Sequence, residues 1–212
     1  MFRKKEWLVI TLIGLAYVVY ILLRAWLLPI THDEGATCLN HVQRSLWDIL
    51  TYEKDPVPNN HILNTLGIKI FASFLGLGHF SSRLPSLIGG VLYVLAAAGL
   101  SVRIGKTAFQ RVFGMVLLLA NPYVTEFFSL ARGYGLAAGL MLAAIYSFTN
   151  CLDFQTRQAM VRFVALGSVS PVAGASILSS GHAYGSYRSV PFLGRYQFLF
   201  RNADSIAPGF FG

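Results

Sequence analysis

Apolar residues along this chain fall into long runs. Residues 84–102 and 133–152 contain no charged side chain, and 7–28 contain only Arg24. A helix needs roughly 20 such residues to cross the hydrocarbon core of a bilayer. Arg24 lies near the end of its run, where a long side chain can reach the headgroups. A shorter run, 112–124, carries Pro122 near its end and leads into Thr125 and Glu126. These four runs predict four membrane spans, with 163–180, uncharged but rich in small and polar residues, as a fifth candidate. Between the first two runs, Leu39, Val42, Leu46, Ile49 and Leu50 recur at helical spacing, and Gln43, Arg44 and Asp48 fall on the other face. That pattern predicts an amphipathic helix lying on the membrane surface. Asp55-Pro56-Val57-Pro58-Asn59-Asn60 breaks it. The apolar stretch 62–77, which contains Lys69, predicts a second interfacial or re-entrant helix. The expected fold is therefore all-α: a polytopic transmembrane helical bundle with amphipathic interfacial helices in its first outer loop. Residues 1–165 form the expected membrane domain. Residues 166–212, with Gly, Ser and Pro and no continuing period, form an atypical tail expected to be poorly ordered or outside the fold.

Composition agrees with this pattern. Only 12% of the residues are charged, about half the share of a soluble domain. The first run follows Arg3-Lys4-Lys5, as a secretory signal would, but it is too long for a signal core and no small-x-small cleavage site follows it. It reads as a retained span. The net charge of +8 comes from basic residues flanking the apolar runs, and no stripe of the nucleic-acid-binding kind is present. The positive-inside rule then sets the orientation. Lys4 and Lys5 place the N-terminus in the cytoplasm, Arg103, Lys106 and Arg111 fall inside, and Arg157 and Arg162 fall inside again. The expected location is the cell (inner) membrane, multi-pass. Five of the nine acidic residues, Asp33, Glu34, Asp48, Glu53 and Asp55, then lie in the first outer segment. Two cysteines, Cys38 and Cys151, are too few for a disulfide scaffold.

Four short motifs could carry chemistry. Thr31-His32-Asp33-Glu34 places adjacent carboxylates just past the first span. It also has the form of a helix-capping box, with Asp33 in the first turn. Asn59-Asn60-His61 precedes the short apolar helix and reads equally as a polar helix start. His32, His41 and His61 with Asp33 and Glu34 could surround a divalent metal, but no pair has close ligand spacing, so no metal and no other cofactor is expected. Asn121-Pro122-Tyr123, Glu126 and Ala131-Arg132-Gly133-Tyr134 mark the turn between the third and fourth runs. There Arg132 suits a lipid phosphate or a simple pairing with Glu126. Ser82-Arg83-Leu84-Pro85-Ser86 opens the second long run, with proline as an ordinary start signal and Arg83 as an ordinary interface anchor.

The order of these motifs resembles the N-terminal part of the C-type (GT-C) membrane glycosyltransferases. The nearest likeness is to the dolichyl-phosphate-mannose protein mannosyltransferase family and its bacterial relatives, including the lipid A aminoarabinose transferases. The matching pieces are Asp33-Glu34 after the first span, Arg83-Leu84-Pro85-Ser86, and Ala131-Arg132-x-Tyr134, over roughly residues 7–160. The resemblance implies transfer of a sugar from a polyprenyl-phosphate donor, with inversion, to an unidentified acceptor on the outer face. Its partners would be the donor and membrane lipid, and no nucleic acid. It implies Asp33 as general base with Glu34 beside it, and His61, Arg132 and Tyr134 on the substrate side near the lipid phosphate. Ile62-Leu63 stands where relatives carry paired prolines, a departure that bears on His61. Members of the family carry many more spans, so an active transferase and a truncated, inactive relative are both expectations. A polytopic membrane protein without chemistry, or a transporter component, is the alternative. It lacks the mid-span charges that transporters use.

Overall fold

The computed structural model describes residues 4–51, 61–154 and 157–174, and all their regular elements are helical. In chain order these are α1 (Lys4–Leu27), α2 (His32–Ala36) continuing into a π-helical turn (Thr37–His41), α3 (Leu46–Thr51) and α4 (Ile62–Leu75). A 3₁₀ turn (Ser81–Arg83) leads into α5 (Leu84–Ile104), followed by α6 (Ala108–Leu119), α7 (Pro122–Phe128), α8 (Gly133–Phe154) and α9 (Arg157–Gly174). Among the described residues three helices are long and apolar enough to cross a membrane: Lys4–Leu27, Ser81–Ile104 and Gly133–Cys151.

The 112–124 run is not one helix. α6 has 12 residues, which at about 1.5 Å per residue covers well under the roughly 30 Å of a hydrocarbon core. It stops because Pro122 has no N–H to continue the ladder. Asn121 then starts α7, its side-chain oxygen accepting from the N–H groups of Tyr123 (3.1 Å) and Val124 (3.3 Å). The amphipathic helix expected over 39–50 is also divided. Ser45 opens α3 by accepting from the Asp48 N–H at 3.1 Å. Val42 and Ile49 are buried, while Leu39, Leu46, Trp47 and Leu50 are exposed. α4 occupies the place of the second interfacial helix, and Lys69 within it donates to the carbonyls of Val42 (3.0 Å) and Arg44 (2.6 Å) at the α2–α3 break. The expected 165/166 boundary falls inside α9. The 55–60 break and the expected tail beyond residue 174 lie outside the described residues.

The packing follows from which face of each helix is apolar and small. α1 buries Ile10, Gly14, Ile21 and Ala25, one stripe at helical spacing. Much of the rest of its apolar surface, such as Leu12, Leu15, Val19 and Leu23, is exposed. In water such a surface would be costly. In hydrocarbon it is not, because lipid tails are as apolar as leucine. The main core joins α1, α5, α6, α7 and α8 around Ile21, Tyr93, Val94, Met115, Phe128 and Leu142.

α5 and α8 approach most closely where Gly89 faces Gly135 and Gly139. A Cβ on Gly139 would stand 2.1 Å from the Gly89 carbonyl oxygen, and one on Gly89 would stand 2.5 Å from the Gly135 carbonyl oxygen. Gly135-x-x-x-Gly139 is thus a small-residue stripe that lets two backbones touch.

Polar ties fix the order of the helix ends. Arg111, near the start of α6, pairs with Glu6 near the start of α1 at 2.7 Å. Arg103, near the end of α5, donates to Asn150 near the end of α8 at 2.7 Å. α1, α5, α6 and α8 therefore alternate in direction. Lys4, Arg103, Lys106 and Arg111 gather at one end of the bundle, and Asp33, Arg83 and Arg132 at the other.

Adding a methyl group at Gly139 forces α5 and α8 apart. Gly139→Ala is expected to cost about 1–3 kcal/mol, the usual range for overpacking, read as a lower thermal midpoint in detergent. Gly167→Ala on α9, where a Cβ meets nothing within 4 Å, is expected to leave the midpoint unchanged or raise it. Equal midpoints for the two variants would contradict the close crossing.

Candidate functional site

The site is built where α1 ends. A helix terminus leaves its last four carbonyls without partners, and here a cation meets several of them. Arg83 Nη1 donates to the carbonyls of Ala25 and Leu28, both at 2.8 Å, and Nη2 donates to that of Pro29 at 2.9 Å. The remaining donors of the guanidinium face Glu34. Nε donates to Oε1 and Nη2 to Oε2, each at 2.8 Å. Neither Glu34 nor Arg83 has any exposed surface.

Glu34 accepts two further bonds, from the Ala131 N–H at 2.6 Å and the Thr31 N–H at 2.9 Å. The second is the glutamate half of the expected capping box, while the Thr31 hydroxyl is buried without a partner. Burial pushes the Glu34 carboxyl up. The bonds from Arg83, Thr31 and Ala131 outweigh it and hold the group below its ordinary range.

The backbone at 131–132 is gripped from three sides. Besides the Glu34 bond to the Ala131 N–H, Asn64 of α4 donates to the Ala131 carbonyl at 3.3 Å and Ser86 of α5 donates to the Arg132 carbonyl at 2.8 Å. This grip sets where the Arg132 side chain leaves the chain, and it forms an ion pair with Asp33. The pair is only partly covered, with Asp33 41% and Arg132 28% exposed. His32 Nδ1 lies 3.6 Å from Asp33 on the other side. Glu126 does not pair with Arg132: it is exposed and lines a separate opening that Arg24 also lines.

His61, at the start of α4, is 3% exposed. Its side chain does not cap the helix, and its ring meets that of Tyr134 edge-on at 4.6 Å. Tyr134 also touches Phe127, at 5.0 Å between ring centres, and is 41% exposed. The structure thus brings Asp33 to Arg132 and His61 to Tyr134, and the two pairs meet through Arg132-Gly133-Tyr134 at the start of α8. Among the described residues, no group of three or more His, Cys, Asp or Glu side chains is placed to hold a metal ion. Cys38 is buried in the π-helical turn, and burial pushes its thiol pKa up.

Arg83, Asn64 and Ser86 are the parts of the site that the motifs undervalued. Arg83 had a signal: a lone cation directly before one apolar run, matched by a lone pair of acids directly after another. Ser86 stood in the Arg83-Leu84-Pro85-Ser86 motif without a role of its own, and Asn64 had no signal, because its partner is a backbone carbonyl.

No protein-family model, curated protein or solved structure matches the chain.

The buried pair makes stability pH-dependent with a definite sign. The Glu34 carboxyl is held below its ordinary value of 4.5. Its contribution is fully present above that value and is lost as pH falls through the lower folded-state pKa. Glu34→Gln is expected to lower stability by about 3–5 kcal/mol near neutral pH, since it leaves a buried guanidinium without its counter-charge. The difference from the parent should shrink as the pH is lowered below 4.5. A thermal midpoint series at falling pH in detergent checks this. A constant gap between parent and variant would show that the carboxylate charge is not what holds the site.

Proposed function

We propose that the chain is part of a multi-pass membrane glycosyltransferase of the C type, acting at the Asp33 end on a polyprenyl-phosphate sugar. The observation that carries the reading is the half-open Asp33–Arg132 pair, held beside a fully enclosed Glu34–Arg83 pair. One carboxylate is fixed in place and the other is left within reach of solvent, as a base that must meet a substrate requires. Its partner is a guanidinium, whose fork suits phosphate oxygens.

In this reading the donor phosphate takes Arg132 away from Asp33. The freed Asp33 carboxylate accepts the proton of an acceptor hydroxyl as that oxygen attacks the anomeric carbon from the opposite face. The bond from that carbon to the lipid phosphate breaks, and Arg132 meets the charge that develops on the leaving phosphate. The base becomes available only when the donor is seated. His61 and Tyr134 line the approach to Arg132, and Glu34 acts as a positioning residue through the Ala131 N–H. α6 and α7 together make the third of four passages in chain order, α9 is the fifth candidate, and the Lys4 end faces the cytoplasm, as the clustered basic residues favour.

Transfer from a radiolabelled polyprenyl-phosphate sugar in proteoliposomes tests the assignment. Asp33→Asn is expected to lower turnover by about 10²–10⁴-fold, the usual cost of losing a general base. Arg132→Ala is expected to raise KM for the donor more than it lowers turnover at saturating donor. An Asp33→Asn variant that transfers at the parent rate would remove Asp33 from the role.

Orientation has its own test. Cys38 is too enclosed to report it, whereas Asn40 is exposed. Asn40→Cys in a background lacking both native cysteines should react with an impermeant maleimide added to intact cells. Reaction only after permeabilisation would invert the topology.

A further inference from the structure

A second polar opening lies at the same end of the bundle and shares no residue with the site above. α1, α6 and α7 line an open cavity of about 490 Å³ whose walls include Tyr17, Tyr20, Arg24, Leu119, Thr125 and Glu126. Tyr17 and Thr125 close one wall with a hydroxyl–hydroxyl bond of 2.7 Å. The Arg24 guanidinium makes one side-chain hydrogen bond, to the Tyr20 hydroxyl at 3.3 Å, and its Nε is buried without a partner. Glu126 is exposed on the facing helix.

Among the described residues, Arg24 and Glu126 do not come within the 4.0 Å of an ion pair with each other. The cavity therefore presents a positive and a negative group that do not satisfy one another. It runs from Tyr17 to Arg24 along α1, so its Arg24 end lies in the last turn of an apolar span, the depth of lipid headgroups. Apolar side chains close to it in the chain are exposed, Val19 between Tyr17 and Tyr20 on α1 and Val116 and Leu117 just before Leu119 on α6. A ligand with acyl chains could lie against them.

A purely anionic ligand would meet the Glu126 carboxylate, and a purely cationic one would meet Arg24. A molecule carrying a phosphate and an ammonium a few bonds apart satisfies both. We propose that this cavity seats the headgroup of a zwitterionic phospholipid, its phosphate on Arg24 and Tyr20 and its ammonium toward Glu126. The proposal does not depend on glycosyl transfer.

Native mass spectrometry of the detergent-solubilised chain tests it. The chain is mixed in turn with phosphatidylethanolamine, phosphatidylcholine and phosphatidylglycerol of matched acyl chains. One molecule of either zwitterionic lipid should be retained about fivefold more strongly than phosphatidylglycerol, the scale of one partly exposed charge contact. Arg24→Gln should weaken retention of all three lipids, because each carries the phosphate that Arg24 meets. Glu126→Lys, at an exposed position that leaves the core intact, should reverse it in favour of phosphatidylglycerol. Equal retention of all three lipids by the parent chain, a parent preference for phosphatidylglycerol, or a Glu126→Lys chain that keeps the zwitterionic preference would each overturn the proposal.

Discussion

A guanidinium with no exposed surface has five N–H donors to satisfy without water, and Arg83 satisfies all five. Three bonds go to carbonyls of Ala25, Leu28 and Pro29 at the end of α1, and two go to the Glu34 carboxylate. The arrangement resolves several costs together. The C-terminal carbonyls of α1 find donors, a positive charge sits at the negative end of the α1 dipole, and the carboxylate finds a counter-charge where burial alone would neutralise it. Remove either partner and the other is left enclosed and unpaired.

From that pair the rest of the site is placed in sequence. Glu34 reaches across to the Ala131 N–H, which anchors the segment between α7 and α8. Asn64 and Ser86 take the carbonyls of Ala131 and Arg132, so α2, α4 and α5 all hold one short stretch of backbone. The Gly89 contacts with Gly135 and Gly139 bring α5 and α8 together just beyond it. At that separation Ser86 can reach the Arg132 carbonyl. The rigid glycine crossing and the polar grip are thus neighbouring parts of one joint, and the side chain they aim is Arg132.

The sequence made the helical class legible, because uncharged runs of span length and basic flanks are one-dimensional signals. It made Asp33, His61, Arg132 and Tyr134 visible as polar residues at the ends of apolar runs, and it offered the capping role of Glu34 beside the catalytic one. It did not show that 112–124 breaks at Asn121, because hydropathy averages over Pro122 while the hydrogen-bond ladder cannot. It missed the division of 39–50 for a related reason. Periodicity read Leu39 to Leu50 as one helix lying on the membrane surface, whereas in the structure Ser45 starts a new helix. Arg83 looked like a surface anchor because its five acceptors come from the end of α1, the segment after it and α2, far away along the chain. Contacts between side chains and distant backbone carbonyls leave no pattern in a single sequence.

Asp33 and Glu34 are adjacent, and their unlike fates follow from helix geometry. Successive residues on a helix point about 100° apart, so two neighbours in one turn cannot share an environment when one side of that turn is packed. Glu34 faces α5 and the α7–α8 segment and becomes fully bonded, with four donors on its two oxygens. A carboxylate so occupied has no acceptor site left for a substrate proton. Asp33 points away, keeps 41% of its side chain exposed, and is balanced by a guanidinium that is itself partly open. An ion pair half in water is worth little, so a competing phosphate can displace it at small cost. The enclosed pair can do no chemistry because it is too well satisfied. The open pair is available because it is not, and it stays in place only because the enclosed pair holds the backbone beneath it.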